Sequence, residues 1–404
     1  MTAPLARLKI PAGVWALGFV SLLADIGSEM VHSLLPVFLV TVAGASMSMI
    51  GLIEGVAEST ALIIKVFSGA LSDYLGKRKP LVALGYGLGA VSKPLFALAG
   101  SAELVFGARI IDRIGKGIRG APRDALIADM VPPEIRGAAF GLRQALDTIG
   151  AFVGPLLAVG LMLLWANDFK AVFWVAVIPA ALSVAVLVFG VREPLAPMTA
   201  KRSNPIQRKN LARLPSAYWW VVAVGAALTL ARFSEAFLVL RVYEGGLALA
   251  WAPLVLVAMN VVYAVAAYPF GRLADKVSHS TLLAWGVVPL LAADAMLAWS
   301  NNWSWGWAGI GLWGLHMAMT QGLLVAMIAD TAPGDLRGTA YGIFNLAGGL
   351  TMLAASVVAG VLWDAVGARA TFMAGGAFGV LSLVLLLARA CRMRGGPGGI
   401  RRGQ

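Results

Sequence analysis

The sequence predicts an all-α membrane protein whose twelve transmembrane helices form two pseudo-symmetric six-helix bundles. Three observations support this prediction: an apolar composition, twelve apolar segments of membrane-spanning length, and an internal repeat. Hydrophobic residues make up 59% of the 404 residues and charged residues only 13%. A soluble domain carries roughly twice that charged fraction. Much of the surface of this chain must therefore face lipid, where only helices or closed barrels satisfy the backbone.

A helix needs about 20 predominantly apolar residues to cross the hydrocarbon core of a bilayer. Twelve segments meet this requirement and are separated by polar, Gly or Pro residues. They cover residues 12–42, 47–71, 80–99, 103–127, 137–164, 170–190, 216–240, 249–269, 281–299, 304–328, 336–362 and 370–389. The fourth segment carries the most charge. No small-residue cleavage site follows the first apolar run, so we expect an uncleaved first span.

Lys and Arg are distributed unevenly over the loops, and this bias predicts the orientation of the chain. One alternate set of loops, together with both termini, contains most of the basic residues outside the spans. The opposite loops contain little beyond Lys170, Arg241 and Arg369. We therefore expect a multi-pass protein of the cell inner (cytoplasmic) membrane with both termini in the cytoplasm. The net charge of +12 reflects this topology, and nucleic acid is not an expected partner.

The longest polar stretch, residues 192–215, is rich in Pro and basic residues and divides six spans from six. This composition is typical of a linker. The predicted organisation is an N-terminal bundle over residues 1–191, a cytoplasmic linker over 192–215, a C-terminal bundle over 216–390 and a basic cytoplasmic tail over 391–404. The one cysteine, Cys391, allows neither an intrachain disulfide nor a cysteine-based metal site.

The two halves of the sequence repeat each other. ALIADMVPPEIRGAAFG at residues 125–141 reappears as AMIADTAPGDLRGTAYG at residues 326–342, an offset of 201. GALSDYLG, which begins at Gly69, matches GRLADKVS, which begins at Gly271, an offset of 202. Two six-helix halves in the same orientation, with a site between them near the membrane midplane, are a common plan among secondary transporters.

The loop between the second and third predicted spans carries a family resemblance. GALSDYLGKR at residues 69–78 resembles the loop signature G-x-L-x-D-x-x-G-[RK]-[RK] of the major facilitator superfamily. The gating residues that this resemblance implies are Gly69, Asp73, Gly76, Lys77 and Arg78, with Asp275 as the counterpart in the second half. A carboxylate at this position can face a helix N-terminus and hold the two halves in one state.

Two further motifs extend the resemblance. RIGKG at residues 113–117 resembles the family's helix-4 pattern, with Lys116 in place of the usual Gln. Gly150, Gly154 and Pro155 match the spacing of the helix-5 antiporter signature, although its final glycine pair is replaced by residues 158–159. We expect these three residues to let the fifth helix pack closely and bend.

Ionisable residues inside the predicted spans are functional candidates, because each costs about 2.5–3.5 kcal/mol to insert. Asp25, Glu29 and His32 have the spacing of one helix face, as do Glu54 and Glu58. A basic stripe follows the fourth span, while the repeat places Ile310, Gly314, Met317, Thr320 and Leu324 at the matching positions of the tenth. The predicted substrate-binding residues are Asp25, Glu29, Glu54, Arg109, Arg113, Lys116, Arg232 and His316.

Proton coupling is predicted to use a subset of these groups. A nearby arginine favours the ionised form of a carboxyl group, so movement of the arginine makes that group take up or release a proton. The candidates are Asp25, Glu29, Glu58, Arg113 and Glu235. Asp25 or Glu29 is the favoured carrier, with Arg113 as its modulator. The alternative is internal ion pairing, because six interior acids are balanced by six interior bases: Asp25, Glu29, Glu54, Glu58, Asp112 and Asp147 against Lys65, Lys93, Arg109, Arg113, Lys116 and Arg119.

The resemblance implies a secondary active transporter that works by alternating access on a small molecule and protons. We expect a monomer in the lipid bilayer, not an enzyme, with no cofactor and no metal. The helix-5 motif favours efflux of an amphipathic compound or metabolite by proton antiport. The basic stripe favours the alternative, proton-driven uptake of an organic anion such as a siderophore or sugar acid.

Overall fold

The computed structural model describes residues 10–193, 211–274, 276–300 and 302–395, and within these ranges it contains helices and no strands. We label the helices in the order of the predicted spans, with a and b for the parts of a broken span. The helices are α1a (Ala12–His32), α1b (Leu35–Thr41), α2 (Met47–Leu75), α3 (Lys79–Leu98), α4 (Ala102–Met130), α5 (Arg136–Leu164), α6 (Phe169–Gly190), α7a (Ser216–Ala231), α7b (Ala236–Glu244), α8 (Leu254–Ala274), α9 (His279–Trp299), α10 (Trp303–Thr331), α11 (Arg337–Val366) and α12 (Ala368–Gly395).

Ten helical segments of the described chain are long and apolar enough to cross a membrane. The two remaining long helices, α2 and α4, have 29 residues each and carry the interior charges. Short 3₁₀ turns precede α5, α8 and α11. The last helix continues to Gly395, beyond the expected start of the tail at residue 391.

Two of the predicted spans are each broken into two helices. Pro36 stands at the start of α1b, where it lacks an N–H and its ring would clash with the carbonyl of His32, four residues earlier. In the seventh span, Arg232 leaves the helical region with φ −112° and ψ 73°. The Ser356 hydroxyl accepts the N–H of Ser234 at 3.3 Å, which satisfies one backbone donor released by this break.

Most helix contacts lie within the half before residue 193 or within the half after residue 211. In the N-terminal half, α1 packs on α5 and α6, and α4 packs on α2 and α3. In the C-terminal half, α10 packs on α8 and α9, and α12 packs on α7a and α9. Between the halves the main contacts join α2 to α11, α5 to α8 and α1b to α7b.

Glycines allow α2 and α11 to touch along their backbones. A Cβ atom on Gly51 would lie 2.2 Å from the carbonyl oxygen of Ser356, and one on Gly360 would lie 2.3 Å from that of Met47. Any larger side chain would separate the two helices. This contact therefore depends on small residues, as is usual where helices approach closely within a membrane.

Contacts between the halves close one end of the molecule. We call it the Ala45 end, after the turn between α1b and α2, and we call the opposite end, with the turn between α2 and α3, the Gly76 end. At the Ala45 end, Asp364 of α11 accepts the N–H groups of Met47 at 3.0 Å and Ser48 at 2.8 Å. The Ser48 hydroxyl donates to the same carboxylate. These bonds attach the first turn of α2 to the opposite half.

Candidate functional site

A network of ion pairs joins α2 to α4 in the centre of the molecule. Arg109 Nη2 lies 2.7 Å from Glu54 Oε2 and 3.6 Å from Glu58 Oε1, and Arg113 Nη1 lies 3.1 Å from the same Glu58 oxygen. Glu54 and Glu58 are four positions apart and therefore lie on one face of α2, and Arg109 and Arg113 likewise lie on one face of α4. Gly117 permits this approach, because a Cβ there would lie 2.7 Å from the Ile64 side chain.

A second ion pair connects α4 to α3. Lys93 Nζ lies 2.7 Å from Asp112 Oδ1, and the Ser92 hydroxyl donates to the same oxygen at 3.2 Å. Asp112 Oδ2 lies 3.3 Å from Arg113 Nε. Lys93, Asp112 and Arg113 are all buried. Since an uncompensated charge would be very costly here, pairing is what allows these residues to remain ionised.

His32 connects this network to α1. Its Nδ1 lies 3.5 Å from Glu29 Oε2, and its Nε2 lies 3.8 Å from Glu54 Oε2. The Ser234 hydroxyl donates to the same Glu54 oxygen at 3.4 Å. Glu54 is therefore in contact with the C-terminal half at the break in the seventh span.

Asp25 belongs to a separate group of charges nearer the Gly76 end. Its Oδ1 lies 3.9 Å from Arg119 Nη2, and the Arg119 guanidinium stacks 4.4 Å from the centre of the Tyr86 ring. One turn further along α4, Arg123 donates to the Ser21 hydroxyl at 3.0 Å. Arg119 and Arg123 of the basic stripe therefore contact side chains of α1 and α3.

The helix-5 glycines lie directly behind the two α1 carboxylates. A Cβ on Gly150 would lie 3.0 Å from the Cβ of Asp25, and one on Gly154 would lie 2.9 Å from that of Glu29. Pro155 lies within the continuous helix α5. Close packing of α5 on α1 therefore fixes the position of both carboxylates.

The C-terminal half contributes fewer charged groups to the interior. Arg232 and Glu235 flank the break in the seventh span and are half-buried. His316 is fully buried, and its Nδ1 lies 2.6 Å from the Gly286 carbonyl oxygen, to which it donates. Asp294 is also buried, and neither of its carboxyl oxygens has a partner among the described residues.

Three acids of the interior are more accessible than three arginines of α4. The side chains of Asp25, Glu29 and Glu58 are 24–32% exposed. Those of Arg109, Arg113 and Arg119 are 2–7% exposed. A ligand that enters the interior therefore meets carboxylate oxygens before it meets the guanidinium groups of α4.

Lys116 and Arg232 differ from the rest of the basic groups. Lys116 is exposed, and its charge interacts with those of Glu29, Glu58 and Asp25 without an ion pair to any described residue. Arg232 likewise forms no ion pair within the described part of the chain.

The residues of the predicted gating motif lie close together at the Gly76 end. Gly76 ends α2 in the left-handed conformation, with φ 63°, which glycine adopts without strain. Arg78 lies 2.5 Å from Asp129 and 3.4 Å from Asp73. Gly69 packs against Ala121 of α4, since a Cβ atom on Gly69 would lie 3.3 Å from the Cβ atom of Ala121. Lys77 is exposed, and Asp275 lies outside the described residues.

Several contacts have no counterpart in the sequence analysis. Arg113 pairs with Glu58, whereas it was expected to modulate Asp25 or Glu29, and its role in coupling stays a prediction. Glu193 accepts the N–H of Lys79 at 3.2 Å and also that of the preceding residue, so it caps the N-terminus of α3. A carboxylate is a typical partner for a helix N-terminus. Here 114 residues separate Glu193 from Lys79, so the local sequence around α3 does not indicate this cap.

A family model described as Major Facilitator Superfamily matches residues 17–259 and 246–399. The chain belongs to the Major Facilitator Superfamily. The resemblance identified from the loop, helix-4 and helix-5 motifs is thereby confirmed, and the protein is a multi-pass membrane transporter.

Other superfamily members resemble this chain to different extents. An uncharacterised MFS-type transporter of Methanocaldococcus jannaschii is 33% identical over 387 residues, which cover 94% of this chain and 95% of the relative. The multidrug resistance protein MdtH of Photorhabdus laumondii is 29% identical over 162 residues, 40% of this chain and 39% of that protein. A POT family transporter solved in complex with 5-aminolevulinic acid has a TM-score of 0.78 at 12% identity, covering 94% of this chain and 96% of that one. The last likeness concerns the fold alone.

Proposed function

We propose that this superfamily member has twelve transmembrane helices in two six-helix bundles. We place it in the cell inner membrane, with both termini in the cytoplasm. The grouping of helix contacts into two halves supports the two bundles. The ion pairs between α2 and α4 support the proposal that both helices span the membrane, because paired charges oppose insertion less than isolated charges do. The concentration of Lys and Arg in the loops of the Gly76 end supports the orientation.

We further propose that the protein is a monomeric, proton-coupled antiporter that exports an amphipathic cation. The observation that carries this proposal is the accessibility of the interior acids. The side chains of Asp25, Glu29 and Glu58 are 24–32% exposed, and half-buried Glu235 interacts electrostatically with Glu29 and Glu58 from the other half. A cation in a low-dielectric interior is attracted to such groups much more strongly than in water.

Organic-anion uptake is the weaker alternative for this site. Its motivation is the basic stripe of α4, but Arg109 and Arg113 are buried and already paired with acids. Lys116 and Arg232, which form no ion pair among the described residues, are two of the interior bases still available to an anion. The name of the MdtH relative, a multidrug resistance protein, also favours export over uptake.

Alternating access explains how such a site exchanges a cation for a proton. In the described conformation the Ala45 end is held closed by contacts between the halves, and we propose that the site opens toward the Gly76 end. A cation that binds the carboxylates displaces their protons, because both stabilise the same negative charge. Rocking of the halves then exposes the site at the Ala45 end, where proton uptake releases the cation. Asp25 or Glu29 remains the proposed proton carrier.

Transport in proteoliposomes tests this proposal. The probes are three permanent cations (ethidium, tetraphenylphosphonium and benzalkonium) and toluenesulfonate as an anion. An imposed pH gradient, acidic on the Ala45 side, is expected to drive counter-directional movement of at least one of the cations. Glu29→Gln and Asp25→Asn test the carriers, and Glu103→Gln, on an exposed carboxylate at the start of α4, is the matched control.

Three results would count against the proposal. Movement of toluenesulfonate together with protons would favour the organic-anion alternative. If the pH gradient moves none of the three cations, the antiport of amphipathic cations is wrong. If Glu29→Gln and Asp25→Asn both keep coupled transport intact, the assignment of the carrier is wrong.

A further inference from the structure

We propose that His32 is a proton-coupling residue, which holds the exchanged proton between Glu29 and Glu54 and passes it to Glu29 when a cation binds. This role rests on the proposed antiport function, and it adds a residue whose part in that function neither the motifs nor the internal repeat indicates.

The geometry of the imidazole ring carries the proposal. Each ring nitrogen of His32 faces a different carboxylate, Glu29 at 3.5 Å and Glu54 at 3.8 Å. A neutral imidazole has one N–H, so one of its nitrogens would present a lone pair to a negatively charged oxygen. An imidazolium presents an N–H to both carboxylates. The pair of contacts is therefore satisfied only when His32 carries the additional proton.

Charged groups from every helix around the ring set this preference. The groups that face His32 are Glu29 of α1, Glu54 and Glu58 of α2, Arg109 of α4 and Glu235 of the seventh span. Four of the five are carboxylates, which attract a positive charge on the ring, and the fifth, Arg109, repels it. A substrate cation bound to Glu29 and Glu58 would weaken that field and would repel the imidazolium at close range.

The two carboxylates beside the ring are not equivalent, which gives the proton a direction. Glu54 is buried, and Arg109 holds it at 2.7 Å. Glu29 is 24% exposed to the interior space. When a cation binds, the Nδ1–H bond of His32 breaks, the proton joins the Glu29 carboxylate and then leaves to water, and the Nε2–H remains toward Glu54. One positive charge leaves the site for each positive charge that enters.

Glu54 links this proton to the movement of the two halves. The Ser234 hydroxyl, at the break in the seventh span, donates to the same Glu54 oxygen that faces His32. When His32 loses its positive charge, the Glu54 carboxylate loses one of the two positive groups beside it. The contact between the halves at Ser234 is therefore sensitive to whether His32 is protonated.

A divalent cation is the competing interpretation of the same atoms. Ligand atoms of His32, Glu54 and Glu58 lie within 4.8 Å of one another. Arg109 places a positive charge 2.7 Å from Glu54 and 3.6 Å from Glu58, where it already compensates both carboxylates. The arrangement therefore favours a proton over a metal ion, and Mn²⁺ serves as the probe that distinguishes them.

The test compares substitutions of two histidines. His32→Asn removes the titrating ring, and His279→Asn is the matched control, since His279 is half-buried at the Gly76 end, away from the interior acids, and faces Asp330 at 3.1 Å. Purified protein in weakly buffered detergent solution is titrated with ethidium, and released protons are followed with a pH indicator dye. Wild type and His279→Asn are expected to release about one proton per bound ethidium, and His32→Asn none while ethidium still binds.

A transport assay separates this role from a structural one. His32→Asn is expected to keep ethidium counterflow, which needs no gradient, and to lose accumulation driven by a pH gradient. His279→Asn is expected to keep both. If wild type shows no gradient-driven transport of any tested cation, the proposed function itself fails. If wild type shows it and His32→Asn retains it, only the assignment of His32 is overturned.

Histidine nitrogen NMR gives a test that needs no variant of His32. The chain has three histidines, so a ¹⁵N-histidine sample can be assigned with His279→Asn and His316→Asn. Wild type without substrate at neutral pH is expected to show His32 protonated on both nitrogens. A neutral His32 would overturn the proposal. Mn²⁺ that stabilises wild type against heat, but not His32→Asn, would overturn it in favour of a metal site.

Discussion

Asp364 offers a direct test of how the Ala45 end is held closed. This carboxylate of α11 acts as an N-terminal cap for α2 in the other half, with hydrogen bonds from both the backbone and the side chain of its first turn. The negative charge also suits the positive end of the α2 dipole. Asp364→Ala removes all of these interactions without adding bulk.

The expected magnitude follows from the number and kind of bonds lost. Replacement of an N-cap Asp by Ala costs about 0.5–2 kcal/mol, and a hydrogen bond to a charged group contributes about 1.5–3 kcal/mol when buried. Because Asp364 is exposed, we expect about 1–2 kcal/mol for the whole group. Opening of the Ala45 end breaks these bonds, so the variant should favour the open state by roughly 5-fold to 30-fold.

Distances between spin labels measure this shift. Val42 and Ala248 are exposed at the Ala45 end in opposite halves, so cysteines at these positions, in a protein with Cys391 replaced by Ser, report its opening by double electron–electron resonance. Glu244→Ala is the matched control, because Glu244 contacts the indole N–H of Trp363 within its own half. An unchanged distance distribution in Asp364→Ala would refute the reasoning.

Two further predictions concern the packing and the charges of the interior. Gly154→Ala should lower the unfolding temperature and displace Glu29, whereas Gly160→Ala should not, because a Cβ at Gly160 meets nothing within 4 Å. Thermal unfolding and ethidium binding measure both effects, and equal behaviour of the two variants would contradict the packing argument. Glu54→Leu should destabilise the protein by up to about 3–5 kcal/mol because it leaves buried Arg109 with only its longer contact to Glu58, and adding Arg109→Met should restore stability without restoring coupling. Failure of that rescue would show that the fold needs the ion pair.

The helices could be predicted from the sequence, but the break in the first span was missed. Length and hydropathy place the spans to within a few residues in most cases, because a lipid-facing helix must be apolar over a fixed length. Within the first span, residues on both sides of the interruption before Pro36 are mostly apolar, so the interruption does not divide the segment at the level of hydropathy. Periodicity does not register a break that keeps both parts apolar.

The faces of the charged helices were also predictable, whereas their partners were not. Helical spacing places Glu54 and Glu58 on one side of α2 and Arg109 and Arg113 on one side of α4. Which base meets which acid depends on the relative shift of two helices, and one turn decides whether Arg113 meets Glu58 or Glu54. The bond from Ser48 to Asp364 spans 316 residues and has no local signal at all.

The internal repeat shows why the interior ion pairs of the N-terminal half point to function. The contact between α4 and α2 has a counterpart in the contact between α10 and α8. Where α4 has Arg113, α10 has Gly314, and a Cβ there would lie 2.4 Å from the Met259 carbonyl oxygen. Where α4 has Arg109, α10 has the fully buried Ile310.

The same helix pairing is therefore made in one half with ions and in the other with apolar residues and glycine. Buried ion pairs seldom stabilise a fold more than apolar residues of similar volume do. Since the C-terminal half forms its contact without them, packing alone gives no reason for Arg109, Glu54 and Glu58. Their retention in only one half is expected if they govern the protonation of His32 and Glu29, because a single titrating site on one side of the cleft is enough to couple one proton to the rocking of both halves.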